Sequence, residues 1–201
     1  STVGVHAPHQ DPVHQYAETD LTGGAVMGPT SGHYEGTKLA AEGVAWGMAK
    51  HLNLPTTVAR LGVQYGTFHD GGMLGVFLKM MLAGMAIPLP KEQSNIIQPI
   101  SDDDVVNFLE SLFDVASVPP ELVYLVGDET IKTREAMEYF GELAGVAPTF
   151  TDEGFEYPTY QFNTDKRMAI TGPCQVKLKD GLTKLYEVMA PRIKAELDAA
   201  K

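Results

Sequence analysis

Residues 33–66 read HYEGTKLAAEGVAWGMAKHLNLPTTVARLGVQYG, and this stretch decides the fold. Its apolar residues recur at roughly helical spacing, which predicts a helix from about His33 to Leu52. Pro55 ends that helix, and the β-branched, weakly charged residues 56–63 predict a buried strand. A helix followed by a strand at this spacing is a crossover unit, so we expect an α/β fold with a parallel sheet.

The rest of the chain alternates in the same way. Before the first helix the patterns predict the end of a buried strand at residues 1–5 and a long surface loop at 7–32, with Thr30 or Ser31 capping the helix. After the second strand they predict a helix at 73–86, an extended piece at 96–100, a helix after Asp102–Asp104, a strand at 122–126 and a helix at 133–143. A last helix begins at about residue 178, and Pro191 kinks or ends it.

Composition excludes several classes of protein. The 201 residues carry a net charge of -11 and no basic run, which argues against binding nucleic acid or an anionic membrane. No apolar stretch approaches the roughly 20 residues that span a bilayer. Cys174 is the single cysteine, so an intrachain disulfide and a cysteine metal cluster are excluded. We therefore expect a soluble, cytoplasmic protein.

Tyr34 and Lys38 are four residues apart on the predicted helix and so share one face. A phenol is a poor base at neutral pH. An ammonium about 4 Å away stabilises the phenolate by roughly 4 kcal/mol at an effective dielectric near 20. The pair could therefore perform acid–base chemistry. Such a pair also arises by chance, so an ordinary solvated helix pair stays open as the alternative.

Several segments beyond this pair follow one family pattern. They are Ser1-Thr2-Val3-Gly4-Val5-His6-Ala7, Tyr34 to Glu42, Arg60 to Gly66, Asp103 to Val106, Thr164-Asp165-Lys166 and Gly181-Leu182. Together they resemble the extended short-chain dehydrogenase/reductases, the NAD-dependent epimerase/dehydratase family. The resemblance covers nearly the whole chain. It implies part of a doubly wound, Rossmann-like sheet in residues 1–66 and a mainly substrate-binding region in 67–201.

The resemblance also implies a site. Tyr34 would be the general acid/base at a substrate hydroxyl or carbonyl, Lys38 would stabilise its phenolate and bind the nicotinamide ribose, and Thr2 would orient the substrate oxygen. The cofactor would be NAD or NADP, and the hydride would move at its nicotinamide. The implied cofactor contacts are Tyr34, Lys38, Leu61, Gly62 and Val63. The family often dimerises through the helix that carries this tyrosine, so a homodimer is expected.

Three departures from the family pattern bear on the substrate. Sugar dehydratases of the family place an acidic pair after the threonine, where this chain has Val3 and Gly4. Ile97 stands where many nucleotide-sugar enzymes carry an arginine that clamps a diphosphate, and Val63 stands where they carry an asparagine. We expect Val3, Val63 and Ile97 to contact a small, less charged substrate. This favours a reductase or dehydrogenase over a UDP-sugar epimerase, which stays open.

The glycine-rich turn that meets the pyrophosphate in dinucleotide-binding folds has no counterpart in this sequence. Gly23-Gly24 and Gly72-Gly75 lie in the wrong context. A truncation, a fragment of a longer enzyme and one piece of a split protein all explain this. We expect the isolated chain to be dimeric and not to bind NAD appreciably. The rival hypothesis is a catalytically silent module that keeps the fold for oligomerisation or binding.

Two clusters with metal-ligand chemistry are interpreted structurally. His6, His9 and His14 lie in the first loop with no further ligand fixed by spacing. Asp102–Asp104 suit the positive first turn of a helix better than a cation. No metal is predicted.

Overall fold

The computed structural model describes residues 1–11, 13–23, 32–68, 70–90, 95–152 and 159–199. It is a mixed α/β structure, which confirms the predicted class. The helices are the 3-10 helix Val3–Val5 and α1 (Gly32–Leu52), α2 (Gly72–Leu82), α3 (Asp102–Asn107), α4 (Leu109–Asp114), α5 (Thr133–Ala144), α6 (Asp165–Thr171) and α7 (Leu178–Ala199). The proposed caps of α1, Thr30 and Ser31, lie outside the described residues.

The strands are short and mostly parallel. They are β1 (Gln15–Tyr16), β2 (Thr57–Leu61), β3 (Gln64–Tyr65), β4 (Ile87–Pro88), β5 (Ile96–Ile97), β6 (Ile100–Ser101), β7 (Glu121–Leu125), β8 (Ile131–Lys132), β9 (Phe150–Thr151) and β10 (Gln161–Phe162). The pairs β1–β10, β2–β7, β3–β6 and β4–β9 are parallel, and β5–β8 is antiparallel.

The longest pairing joins β2 to β7 in register from Thr57 opposite Glu121 to Leu61 opposite Leu125. On the other side of β2, Thr2 forms a parallel bridge with Leu61. Because Leu61 is the last residue of β2, Thr2 lies at the carboxyl end of this parallel arrangement. Ligands of open α/β sheets bind at that edge.

The main core packs α2, α5 and α7 against one another and against the short strands. It is built from buried apolar side chains that include Leu74, Phe77, Leu78, Met137, Phe140, Leu182, Leu185, Met189 and Ile193. Gly181 lets α7 approach β3, since a Cβ at this position would lie 2.2 Å from the hydroxyl of Tyr65. Any larger residue at 181 would have to displace the buried Tyr65 ring.

The structure corrects three expectations. Residues 3–5 form a 3-10 helix instead of continuing a strand, because the Thr2 side chain accepts a hydrogen bond from the Gly4 amide and turns the chain. The predicted loop at 7–32 contains β1, which buries Tyr16. Pro191 does not end the last helix, since α7 continues to Ala199. A proline loses one helical hydrogen bond, and the buried Met189 and Ile193 on either side hold the helix against the core.

The acidic run at the start of α3 is used structurally. Ser101 is the N-cap, and its hydroxyl donates to the Asp104 carboxylate. Asp104, which is 1% exposed, also accepts from the backbone amides of Gln175 and Val176. Asp102 accepts from Gln64, while Asp103 pairs with Lys184 at the surface. Each carboxylate therefore has a protein partner, as the structural interpretation of this run requires.

None of the described helices is long and apolar enough to cross a bilayer. The division into regions 1–66 and 67–201 stays a prediction, and the β2–β7 pairing spans the proposed boundary.

Candidate active site

Thr2 lies where the first segment meets the start of α1. The bridge to Leu61 fixes its backbone, and the Leu61 amide donates to the Ser1 carbonyl at 3.2 Å. A Cβ built on Gly4 would lie 3.7 Å from Oγ1 of Thr2, 3.5 Å from Cγ of Glu35 and 3.6 Å from Oε1 of Glu35. The Thr2 hydroxyl and the Glu35 side chain, which directly follows Tyr34, therefore both lie next to Gly4.

Tyr34 and Lys38 form a pair on the first turns of α1. The Lys38 ammonium lies over the Tyr34 ring, 5.3 Å from its centroid, which is within cation–π range. Tyr34 is 54% exposed, so its hydroxyl is not locked into the core. Among the described residues Lys38 makes no ion pair. The predicted helix face is therefore present, with the Lys38 ammonium unpaired among the described residues and beside an accessible phenol.

An apolar cleft of about 540 Å³ lies next to Thr2. Its lining includes Val3, Val63 and Ile97, the three residues assigned above to substrate contact. They come from the first segment, the end of β2 and β5, so only the folded chain brings them together. The remaining lining residues are Met73, Ile96, Gln98, Thr133, Tyr160 and Phe162. Their role in binding substrate stays a prediction.

Most polar groups of this cleft are already used by the protein. The Gln98 amide donates to the Gly127 carbonyl at 2.8 Å and accepts from the Phe162 amide at 2.9 Å. The Thr133 hydroxyl donates to the Asn95 carbonyl at 2.9 Å. Burial raises the pKa of Tyr160 to about 12, with smaller contributions from Tyr16 and Glu35. The Tyr160 hydroxyl thus remains a protonated donor near neutral pH.

The proposed cofactor residues lie at the edge of the β2 strand. Leu61 ends β2, and Gly62 follows with its amide donating to the Leu125 carbonyl at 3.0 Å. A Cβ on Gly62 would lie 2.8 Å from Val126, so this turn requires a glycine. The donors that fit ribose hydroxyls are the Lys38 ammonium and the Tyr34 phenol. Contact of Tyr34, Lys38, Leu61, Gly62 and Val63 with a nicotinamide dinucleotide stays a prediction.

A buried ion pair anchors β2 to α1. The Arg60 guanidinium donates two parallel hydrogen bonds of 2.9 Å to the Glu42 carboxylate, and the residues are 4% and 7% exposed. Burial raises the pKa of Glu42, but the hydrogen bonds and charges of Arg60 and of Ser1 with its amino terminus together outweigh burial and hold the pKa below its ordinary value. α1 carries Tyr34, and β2 leads to Val63. The ion pair between Arg60 and Glu42 therefore fixes the distance between the part of the site on α1 and the part that follows β2.

His6 extends the network beneath the site. It is fully buried, and its Nδ1 lies 3.3 Å from the Leu21 carbonyl. Since a carbonyl only accepts, Nδ1 carries the proton. Nε2 then accepts from the Tyr124 hydroxyl at 2.7 Å and from Arg60 at 3.2 Å. Burial, followed by the charge of Arg60, lowers the pKa of His6 to about 4. Its role is structural, and His6 is neutral at pH 7.

Acid should destabilise the fold through His6. The pKa is about 4 when folded and about 6.5 when unfolded, so the stability is complete above pH 6.5 and is lost as the pH falls towards 4. Between pH 7 and pH 5 this one group should lower the free energy of unfolding by about 2 kcal/mol. Asp20 and Glu42, which face the ring with Arg60, oppose the effect only weakly.

Urea denaturation at pH 7 and pH 5 measures this loss. His6→Gln, which cannot be protonated, should show most of the pH difference removed. Equal pH differences in the two proteins would rule out His6 as the cause.

The other loop histidines serve local structure. His9 and His14 stack with ring centroids 3.8 Å apart, and Nε2 of His14 lies 2.7 Å from the Asp20 carboxylate. Within the described part of the chain, no group of three or more His, Cys, Asp or Glu side chains could hold a metal ion. Burial raises the pKa of the Cys174 thiol to about 12, which makes it unreactive.

No protein-family model and no curated protein matches the sequence. Solved structures do. A dTDP-glucose 4,6-dehydratase from Bacillus anthracis in complex with NAD gives a TM-score of 0.79 at 17% identity, covering 98% of this chain and 63% of that one. The UDP-glucose 4-epimerase of Thermotoga maritima with UDP-glucose gives 0.78 at 19% identity, covering 96% and 62%. RMD from Pseudomonas aeruginosa with NADPH gives 0.76 at 16% identity, covering 96% and 65%.

The chain therefore has the fold of extended short-chain dehydrogenase/reductases, as the sequence motifs predicted. It spans about 63% of the length of the dehydratase it matches, so it corresponds to part of that fold.

Sequence reasoning missed three contributors to the site, which are Glu35, Tyr160 and Phe162. In the sequence analysis Glu35 is only part of the segment Tyr34 to Glu42, yet its side chain lies against Gly4. Phe162 reaches the cleft from β10, and Tyr160 reaches it from the position directly before this strand. Glu35 could have been suspected because it follows Tyr34 directly. Residues 159–162 carry no motif, and long-range contacts bring them to the site. β10 pairs with β1, the Tyr160 amide donates to the Ile96 carbonyl, and the Phe162 amide donates to the Gln98 side chain.

Proposed function

We propose that these residues form the catalytic part of an NAD(P)-dependent oxidoreductase or epimerase that acts on a hydroxyl or carbonyl of a small substrate. One observation carries the proposal. Thr2 lies at the carboxyl end of parallel strand β2, Glu35 at the start of α1 lies against the nearby Gly4, and Val3 lines an apolar cleft. Tyr34 and Lys38 flank Glu35 on the same helix, with the Lys38 ammonium 5.3 Å from the centroid of the Tyr34 ring. The shared fold with enzymes solved with NAD or NADPH supports it.

The chemistry assigns one task to each residue. The nicotinamide dinucleotide would supply or accept the hydride. In reduction, the substrate carbon gains the hydride and Tyr34 gives its phenolic proton to the carbonyl oxygen; oxidation reverses both transfers. Lys38 stabilises the phenolate that remains. Thr2 donates a hydrogen bond that orients the substrate oxygen, and Val3, Val63 and Ile97 contact the substrate.

Cofactor binding tests the proposal. The isolated chain should show no stoichiometric binding of NAD or NADP by calorimetry, because no glycine-rich turn meets the pyrophosphate in this sequence. A polypeptide that adds a dinucleotide-binding half before residue 1 should bind one dinucleotide per chain. Failure of that longer polypeptide to bind either dinucleotide would contradict the proposal, and tight binding by the isolated chain would contradict the role given to the added half.

We also propose a homodimer. The apolar side chains of Val44, Met48 and Leu52 on α1 are 65%, 48% and 57% exposed and four residues apart, so they form one stripe that the described residues leave exposed. Analytical ultracentrifugation tests the homodimer. The isolated chain should sediment as a dimer, and the variant Met48→Lys should sediment as a monomer. A monomeric wild type would contradict it.

The rival function, a silent binding module, has the same fold. Retention of Thr2, Tyr34 and Lys38 together in one sequence favours an enzyme, because a silent module does not need all three residue types.

A further inference from the structure

The cleft beside Thr2 is lined mainly by hydrocarbon. Val3, Ile97 and Phe162 are buried, and Val63, Met73 and Ile96 are partly buried around the same space. It is a cleft that opens to solvent, and mostly apolar clefts with a few polar groups are the usual setting for small-molecule binding. The space suits a small molecule whose body is apolar.

Charge argues in the same direction. The described residues that line the cleft include no Lys, Arg or His. Beside it lies the Glu35 carboxylate, whose Oε2 is buried and has no hydrogen-bond partner among the described residues. A diphosphate or carboxylate bound against this lining would be desolvated with no counter-charge from the lining itself and near a like charge, which is unfavourable.

One polar group of the lining is available to a ligand. Gln98 and Thr133 use their side chains in hydrogen bonds to the protein. The Tyr160 hydroxyl makes no hydrogen bond to the described residues. It can donate to a neutral acceptor such as a carbonyl or ether oxygen.

We propose that this cleft binds an uncharged substrate with an apolar body and a single acceptor group, of the class of aryl or alkyl ketones and the corresponding secondary alcohols. This rests on the proposed function and narrows its substrate class. A nucleotide sugar is excluded from the cleft by the same features.

Methyl NMR of the isolated chain tests this without cofactor or turnover. With Ile and Val methyl groups labelled, acetophenone should shift the signals of Val3, Val63, Ile96 and Ile97 with a Kd of about 1 mM, as expected for a fragment-sized ligand. UDP-glucose should leave them unchanged at the same concentration. Shifts of these methyl groups by UDP-glucose at equal or lower concentration would overturn the proposal, as would the absence of any acetophenone effect.

Two variants and a control make the test more specific. Val63→Asn should weaken acetophenone binding at least about threefold. Ile97→Arg should raise the affinity for UDP-glucose relative to the affinity for acetophenone at least about tenfold. Val76→Asn, at an exposed position of α2 outside the cleft, should change neither. Unaltered affinity in Val63→Asn would overturn the proposal even if Ile97→Arg fails to fold. If the NMR experiment contradicts the proposed substrate class, the proposed function can still be tested by dinucleotide binding, so each proposal can fail without the other.

Discussion

Replacing Tyr34 by phenylalanine is expected to lower kcat about 10²- to 10⁴-fold in the polypeptide that carries a dinucleotide-binding half. The substitution removes one hydroxyl and keeps the ring under Lys38. Tyr34 is 54% exposed, so the free energy of unfolding should change little. The free energy of dinucleotide binding should weaken by no more than the contribution of one hydrogen bond. The rate is measured from the absorbance of the reduced nicotinamide with acetophenone or 1-phenylethanol.

Tyr186→Phe is the matched control, because Tyr186 lies on α7 and packs against Phe140 in the core. It should keep the wild-type rate. A Tyr34→Phe rate within about twofold of wild type would remove Tyr34 from the mechanism and favour the silent-module hypothesis.

The largest effect on stability is expected at Arg60. Arg60→Met leaves the Glu42 carboxylate buried with its main partner gone and also removes a hydrogen bond to His6. Breaking a buried pair in this way should lower the free energy of unfolding by about 3–5 kcal/mol. Urea denaturation at pH 7 measures the change.

Lys79→Met provides the comparison, since Lys79 forms an ion pair with Glu196 in which the side chains are 53% and 46% exposed. It should cost less than about 1 kcal/mol. The double variant Arg60→Met with Glu42→Leu should recover part of the loss, because no charge is then left buried. A single Arg60→Met variant within about 1 kcal/mol of wild type would show that the pair does not hold β2 to α1.

Local pattern was enough for the elements that build the site. The helix at 33–52 and the strand at 56–63 were predicted because amphipathic spacing and Pro55 act within a few residues, and they appear as α1 and β2. The fold class followed from their order. For the last helix the sequence predicted a kink or an end at Pro191; the end is contradicted, since α7 continues to Ala199 with buried side chains packed on both sides of the proline.

Long-range features were beyond the sequence. The contact of His6 with Tyr124 joins residues 118 positions apart, and the pair of Arg60 with Glu42 depends on how α1 lies on β2. No spacing rule predicts either. The grouping of Val3, Val63 and Ile97 in one cleft was expected only through the family resemblance, while Glu35 and Tyr160 entered the site through packing that no motif records.

Deuterium transfer is the most direct test of hydride chemistry at this site. The polypeptide with its dinucleotide-binding half is incubated with acetophenone and reduced dinucleotide deuterated at C4 on the transferred face, and the alcohol product is analysed by mass spectrometry. We expect one deuterium on the carbinol carbon with the wild type, and at least about a hundredfold less labelled product with Tyr34→Phe. Dinucleotide bound at full occupancy with no label in the alcohol expected from acetophenone or from any other ketone supplied would contradict the account.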